Sequence, residues 1–214
     1  VQNTLIGGLA GDALTTGNYS VAVGYQALST EDAHGQNTAV GYKALATLNA
    51  GATGNNVAIG FDAGTSVTTG INNTLIGSES GDALTDADHN TALGFRSLTT
   101  NVLGSRSVAL GAGALFAQNP ATATDMYNVA IGYEAGVGVT TAIYNTLVGG
   151  LAGDALTTGG YNVAIGGSAL TTEDTGRKNV AVGAYALQTQ NSDADNYNTA
   201  VGYYTGGAVT TGLY

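Results

Sequence analysis

The chain has 214 residues, of which 34 are Gly, 1 is Pro and none is Cys or Trp. Charged residues make up 9% and hydrophobic residues 43%, so neither a charge-rich disordered chain nor a disulfide scaffold is possible, and the scarcity of Pro without a Gly-x-y period excludes collagen. The formal charge of −10 argues against nucleic acid and anionic lipid as partners, since both are held by basic side chains. No apolar run reaches the 18 residues of a membrane span, and no signal peptide is visible.

From the N-terminus onward one five-residue unit recurs: Asn or Ser, then Thr or Val, then Ala or Leu, then an aliphatic residue, then Gly. Its twelve glycines are Gly7, Gly24, Gly41, Gly60, Gly77, Gly94, Gly111, Gly132, Gly149, Gly166, Gly183 and Gly202. They are spaced 17 residues apart, lengthened to 19 after Gly41 and Gly183 and to 21 after Gly111. The first position of the unit is Asn3, Asn37, Asn56, Asn73, Asn90, Asn128, Asn145, Asn162, Asn179 and Asn198, with Ser20 and Ser107 in the same register. Three residues after each Gly stands a small residue, from Ala10 and Ala27 to Ala186 and Thr205. A longer period lies above this one. Asn3 to Gly7 returns as Asn73 to Gly77 and Asn145 to Gly149, which divides a single domain, residues 1–214, into tandem blocks 1–72, 73–144 and 145–214.

A 17-residue repeat is too short for helical solenoids or propeller blades. It suits one coil of a parallel β-solenoid, and the sequence predicts an all-β fold of twelve coils, each with two strands of four or five residues and two turns. Alternation along the unit puts the Thr or Val and the aliphatic residue on one strand face, and the Asn, the Ala or Leu and the Gly on the other. Both faces are apolar or small, so the coil's own second strand can cover only one. The other is expected to meet sister chains, with the column of small residues letting them approach. The longer coils place their extra residues, among them Gly54, Asn55, Asn119 to Thr124 and Ser192 to Asn196, in one loop that leaves strand register intact. The Asn column predicts either amides hydrogen-bonding along the stack or side chains that shape local turns.

The stretches Ser20-Val21-Ala22-Val23-Gly24-Tyr25-Gln26-Ala27-Leu28 and Asn37-Thr38-Ala39-Val40-Gly41-Tyr42-Lys43-Ala44-Leu45 resemble the head repeats of YadA-like trimeric autotransporter adhesins. They resemble still more the Asn-Thr-Ala-Val-Gly-Tyr-x-Ala-Leu repeats of phage and bacterial tail-fibre-like proteins, and the likeness runs through all twelve repeats. The resemblance implies a left-handed parallel β-roll of three chains side by side: a homotrimeric structural fibre of a cell surface or virion, extracellular and used in attachment. The repeat here is longer than that of the adhesin heads, and no anchor, stalk or chaperone segment is seen. The chain opens in mid-pattern at Val1-Gln2-Asn3 and ends on Thr210-Thr211-Gly212-Leu213-Tyr214, in phase with Thr140 to Tyr144, so a slice of a longer repeat protein or head-to-tail stacking is expected.

No catalytic constellation is present, so an enzyme is not expected, and neither is a cofactor. His34 and His89 both lie in acidic loops. Asp86 with Asp88, and Asp193 with Asp195, are the nearest approach to a Ca²⁺ site, but they lack the Gly-Gly-x-Gly-x-Asp pattern of calcium β-rolls, and solvated loop carboxylates are the simpler reading. Aromatic residues after the Gly (Tyr25, Tyr42, Phe61, Phe95, Tyr133, Tyr203) and before the Asn (Tyr127, Tyr144, Tyr161, Tyr197) either pack along the coil edge or stack on sugars of a glycan or cell-surface receptor. An ice-binding solenoid is the alternative function. It needs regular outward threonine rows, whereas Thr and Val alternate irregularly at the second position and the fourth is wholly aliphatic, which reads as a buried column.

Overall fold

The computed structural model describes residues 2–212; Val1 lies outside them, as do Leu213 and Tyr214, the residues in phase with Ile143 and Tyr144. Twelve three-residue strands form one sheet: β1 Thr4–Ile6, β2 Val21–Val23, β3 Thr38–Val40, β4 Val57–Ile59, β5 Thr74–Ile76, β6 Thr91–Leu93, β8 Val108–Leu110, β10 Val129–Ile131, β11 Thr146–Val148, β12 Val163–Ile165, β13 Val180–Val182 and β14 Thr199–Val201. Two short strands, β7 Gly104–Ser105 and β9 Thr124–Asp125, pair beside it. Every pairing is parallel, and each strand pairs with the one in the coil before and the coil after. The chain is a parallel β-solenoid of twelve coils. At about 4.8 Å per layer it is about 58 Å long.

Register survives the long coils. Thr38 pairs with Val57, Val108 with Val129 and Val180 with Thr199, as if the inserted residues were absent. The insertions fall between the seventh residue after the Gly and the next Asn. They are accommodated by loop pairs outside the main sheet: Gly104 with Thr124, Ser105 with Asp125, and the single bridge of Arg177 to Asp195.

Strand faces follow the predicted alternation. The central residue of each strand from Ala22 to Ala181 is fully buried, while the residues beside it are half-buried or exposed. The Asn column is buried on the same inward side. Two expectations are corrected. The small column three residues after the Gly does not face outward toward sister chains. Ala27, Ala44, Ala63, Ser80, Ser97, Ala114, Ala135, Ala152, Ala169 and Ala186 are fully buried, because the coil turns back over them and folds them into the chain's own core. The Thr/Val and aliphatic columns, read as buried, form instead the outer face of the sheet, with Ile59, Leu93 and Ile131 about 40% exposed.

The predicted second strand is also absent from ten of the twelve coils among the described residues. Its place is taken by tight turns containing residues at φ near +55°, such as Gln26, Leu28, Lys43 and Leu45. A left-handed residue breaks an extended run, and non-Gly residues adopt it only under compensation. The compensation here is between coils: Gln26 N donates to Gly8 O at 3.0 Å, Lys43 N to Tyr25 O at 2.9 Å and Leu28 N to Ala44 O at 3.0 Å. The turns stack as a hydrogen-bonded column without being strands.

Core volume is exchanged between neighbouring columns. The fourth position after the Gly is Leu28, Leu45, Leu98, Leu115, Leu170 and Leu187 in some coils and a glycine in others. The glycine stands where a leucine from elsewhere fills the space. A Cβ on Gly81 would sit 2.7 Å from Leu75 Cδ2 and 2.8 Å from Leu84 Cδ1.

Candidate functional site: the outward sheet face, the loop edge and the side-chain ladders

The outward face is a regular surface feature that runs through all twelve coils. In each coil it presents the second and fourth residues of the repeated unit, Thr or Val beside Ile, Val or Leu, and no charged residue occupies either column in any coil. Its exposed aliphatic members run from Ile6 through Ile59, Leu93, Ile131 and Ile165 to Val201.

Behind that face most members of the Asn column do two jobs. The Oδ1 atom accepts the backbone N–H of the Asn one coil on: Asn73 N to Asn56 Oδ1 at 2.9 Å, Asn90 N to Asn73 Oδ1 at 2.9 Å, Asn162 N to Asn145 Oδ1 at 2.9 Å. The Nδ2 atom donates to a loop carbonyl 14 residues later, as Asn56 to Gly70 at 2.9 Å and Asn73 to Ala87 at 2.8 Å. The amides therefore bond along the stack through the backbone rather than to one another, and most also tie their own loop shut; Asn37 Nδ2 donates instead to Gly35 O at 3.3 Å, and Asn179 Nδ2 has no partner among the described residues. Ser20 keeps a weaker form of the upward bond, accepting from Asn37 N at 3.3 Å.

A column that sequence reasoning missed lies seven residues after the Gly. It holds Leu14, Leu48, Val67, Leu84, Val139, Leu156 and Val209 in seven coils, but Glu31, Asn101, Gln118, Glu173 and Gln190 in the others. All five polar members are fully buried. Each is satisfied by loop groups. Glu173 accepts from Gly176 N at 2.7 Å, Gln190 Nε2 at 2.9 Å and Ser192 N at 3.3 Å. Gln118 Oε1 accepts from Asn128 Nδ2 at 2.9 Å, and Gln190 Oε1 from Asn198 Nδ2 at 2.8 Å. Their register is the signal in the sequence: polar residues where sister coils carry Leu or Val. Gln118 and Gln190 stand in the long coils themselves, Glu31 and Glu173 accept N–H groups of the long coil that follows, at Ala50 and Ser192, and Asn101 closes its own 17-residue coil onto Gly104. Replacing Glu173 by Ala is expected to cost about 2 kcal/mol, because it leaves buried N–H groups unpaired. Hydrogen exchange at Ser192 should accelerate, while exchange in β3 stays as in the unmodified chain.

The loop acids are engaged within the fold. Asp88 accepts from Ile71 N at 2.8 Å, Asp193 from the Thr175 hydroxyl at 2.7 Å, and Asp195 pairs with Lys178 Nζ at 2.6 Å. The Lys178 ammonium holds the Asp195 carboxyl below its ordinary range, and that carboxylate with the Tyr197 hydroxyl holds Lys178 above its own. The donor atoms of Glu31, Asp32 and His34 lie within 4.8 Å of one another, but Glu31 already accepts from His34 N at 3.1 Å and Ala50 N at 3.4 Å. That geometry makes it a loop anchor in the same register as Glu173. His89 sits in the column before the Asn, 3.4 Å from Asn72 Nδ2.

The two aromatic columns are ladders. Tyr25, Tyr42 and Phe61 stack at 5.7 and 5.0 Å, and Tyr127, Tyr144 and Tyr161 at 5.0 and 5.1 Å. Each inner ring has a stacked neighbour on both sides along the axis. Sugars stack on faces, so these runs are built for cohesion along the axis. No family model, curated protein or solved structure is detectably similar to the chain. Among the described residues no helix is long and apolar enough to cross a membrane.

Proposed function

We propose that the chain is a segment of a rigid structural fibre, in which three copies lie side by side through the outward face of the twelve-stranded sheet and serve attachment at a cell surface or virion. One observation carries this reading: a continuous, charge-free aliphatic strip on a molecule of net charge −10. Elsewhere the exposed columns carry the aromatic ladders and the loop acids. The strip is about 58 Å long and about 10 Å wide, roughly 600 Å² a side, close to the roughly 800 Å² per partner of a standard interface. The trimer number and the attachment role come from the sequence resemblance; the solenoid supplies the stiffness such a role needs, since each coil stacks on the last.

Light scattering tests it. The expected mass is three times 21.1 kDa. Ile131→Glu should give a folded monomer, because the side chain is 40% exposed in one chain and becomes a buried charge only on association. A monomeric unmodified chain overturns the reading. The ice-binding alternative gains from the outward position of Thr38, Thr74, Thr91 and Thr146. Valine interrupts that row in every block, and thermal hysteresis of the unmodified chain separates the two readings.

A further inference from the structure

We infer that the missing rung of the aromatic ladder at the seventh coil is a binding slot for a small, uncharged, planar aromatic molecule. The slot is independent of the fibre reading and lies beside the sheet face. The residue after the Gly is Phe95 in the sixth coil, Ala112 in the seventh and Tyr133 in the eighth. Strands β6, β8 and β10 are consecutive and in register, so Phe95 and Tyr133 stand two layers apart with no ring between them. Two layers are about 9.6 Å. Where the ladder is filled, neighbouring rings sit 5.0 Å (Tyr42–Phe61) to 5.7 Å (Tyr25–Tyr42) apart. One ring inserted between Phe95 and Tyr133 would therefore meet both at the distance the fold itself uses.

The second column opens the same gap. Two residues after the Gly, the sister coils carry side chains such as Gln26, Lys43, Arg96 and Glu134, but the seventh coil has Gly113. Losing both side chains in one coil leaves a cavity of about 420 Å³ floored by Phe116 and Val137. That volume exceeds what one or two fused rings need and falls in the range of ligand pockets. The fifth coil shows what closes such a gap. Ser78 also lacks a ring, but there Glu79 meets Arg96 Nε at 2.6 Å alongside it. The same ion pair ties Arg96 to the fifth coil, while its guanidinium lies over the Phe95 ring, 5.1 Å from the centroid, at the rim of the slot. On the other side of the slot the Glu134 side chain lies against Gly113, its Cγ 3.1 Å from where a Cβ would stand. The rim thus carries one charge of each sign, and the walls between them are the aromatic and aliphatic groups of Phe95, Phe116, Tyr133 and Val137, which favours a ring without net charge over an ion.

Indole is the probe, since the chain has no Trp and excitation at about 295 nm avoids its tyrosines. The unmodified chain should shift indole emission to the blue with saturable binding on the order of 1 mM. Ala112→Phe should weaken binding at least tenfold. It should fold, because Phe61 and Tyr25 occupy the same register in other coils and Ala112 needs no left-handed backbone. Ala184→Phe, in the same column four coils on, should leave binding unchanged. Undiminished binding to Ala112→Phe, equal loss in Ala184→Phe, or no saturable binding to the unmodified chain up to about 20 mM overturns the slot. Because the readout is indole and not mass, failure here and failure of the fibre reading are separate results.

Discussion

Gly60→Ala is expected to unfold the solenoid at its centre, lowering the melting temperature by about 8–16 °C, from a cost of about 4 kcal/mol at roughly 2–4 °C per kcal/mol for a chain of this size. The glycine has φ of +145°, a region in which an L side chain is strained, and an added Cβ would lie 2.4 Å from the carbonyl oxygen of Gly77 in the next coil. The obstacle is backbone on both sides of a hydrogen-bonded layer, so it has no rotamer by which to yield. Relief requires the fourth and fifth coils to move apart, and Gly60 N donates to Val40 O at 2.8 Å from the other direction. Gly202→Ala isolates the contribution of strain. Its φ is +127°, but among the described residues its Cβ would meet only the Thr205 hydroxyl at 2.8 Å, the end of a side chain rather than backbone. Its cost should be about 1–2 kcal/mol, the strain of the dihedral alone. Equal melting temperatures for the two variants would show that stacking distance is not what the glycine column protects.

The same comparison of coils explains how much of this fold is legible in the amino-acid sequence. A repeated unit superposes twelve versions of one coil on a single register, so a column that is always Gly or nearly always Asn announces a backbone constraint by its composition alone. Strand alternation follows from two-residue periodicity, and Ala39 and Ala58 are buried where that periodicity puts them. What alternation does not give is which face the chain covers for itself. That depends on the return path, and the return path is made of left-handed residues such as Leu45 and Tyr127, whose identities carry no turn signal. Their conformations are held by bonds to the coils above and below, which are non-local and leave no mark in a short window. The buried polar column is legible only by register: Glu31 and Glu173 read as loop charges until they are set level with Leu48 and Leu156. The outward strip is misplaced by the sequence for a related reason, since an apolar column looks alike in a core and at an interface.

Asn73→Ala is expected to cost about 2–4 kcal/mol, and a pH series at the same position should show why. The substitution removes the acceptor of Asn90 N–H, at 2.9 Å, and the donor to Ala87 O, at 2.8 Å, and both groups lie in residues shielded from water. Asn73→Ser should recover part of the loss, as the hydroxyl of Ser20 does for Asn37 N at 3.3 Å, but it leaves the Ala87 carbonyl unpaired. Asn73→Asp then separates hydrogen bonding from shape. A protonated aspartic acid presents one acceptor to Asn90 and one donor to Ala87, as the amide does. An ionised one aims a second oxygen at the Ala87 carbonyl in a site without solvent, so burial and that repulsion raise its folded pKa above the unfolded value of about 3.9. With the folded pKa raised, the variant keeps its stability below the unfolded pKa and loses it as pH climbs through the folded one. Relative to the unmodified chain, Asn73→Asp should therefore melt close to normal at about pH 4 and fall below Asn73→Ser by about pH 7. A melting difference that does not change with pH would mean that the column acts by filling space, and that the paired bonds to Asn90 and Ala87 contribute little to holding the coils together.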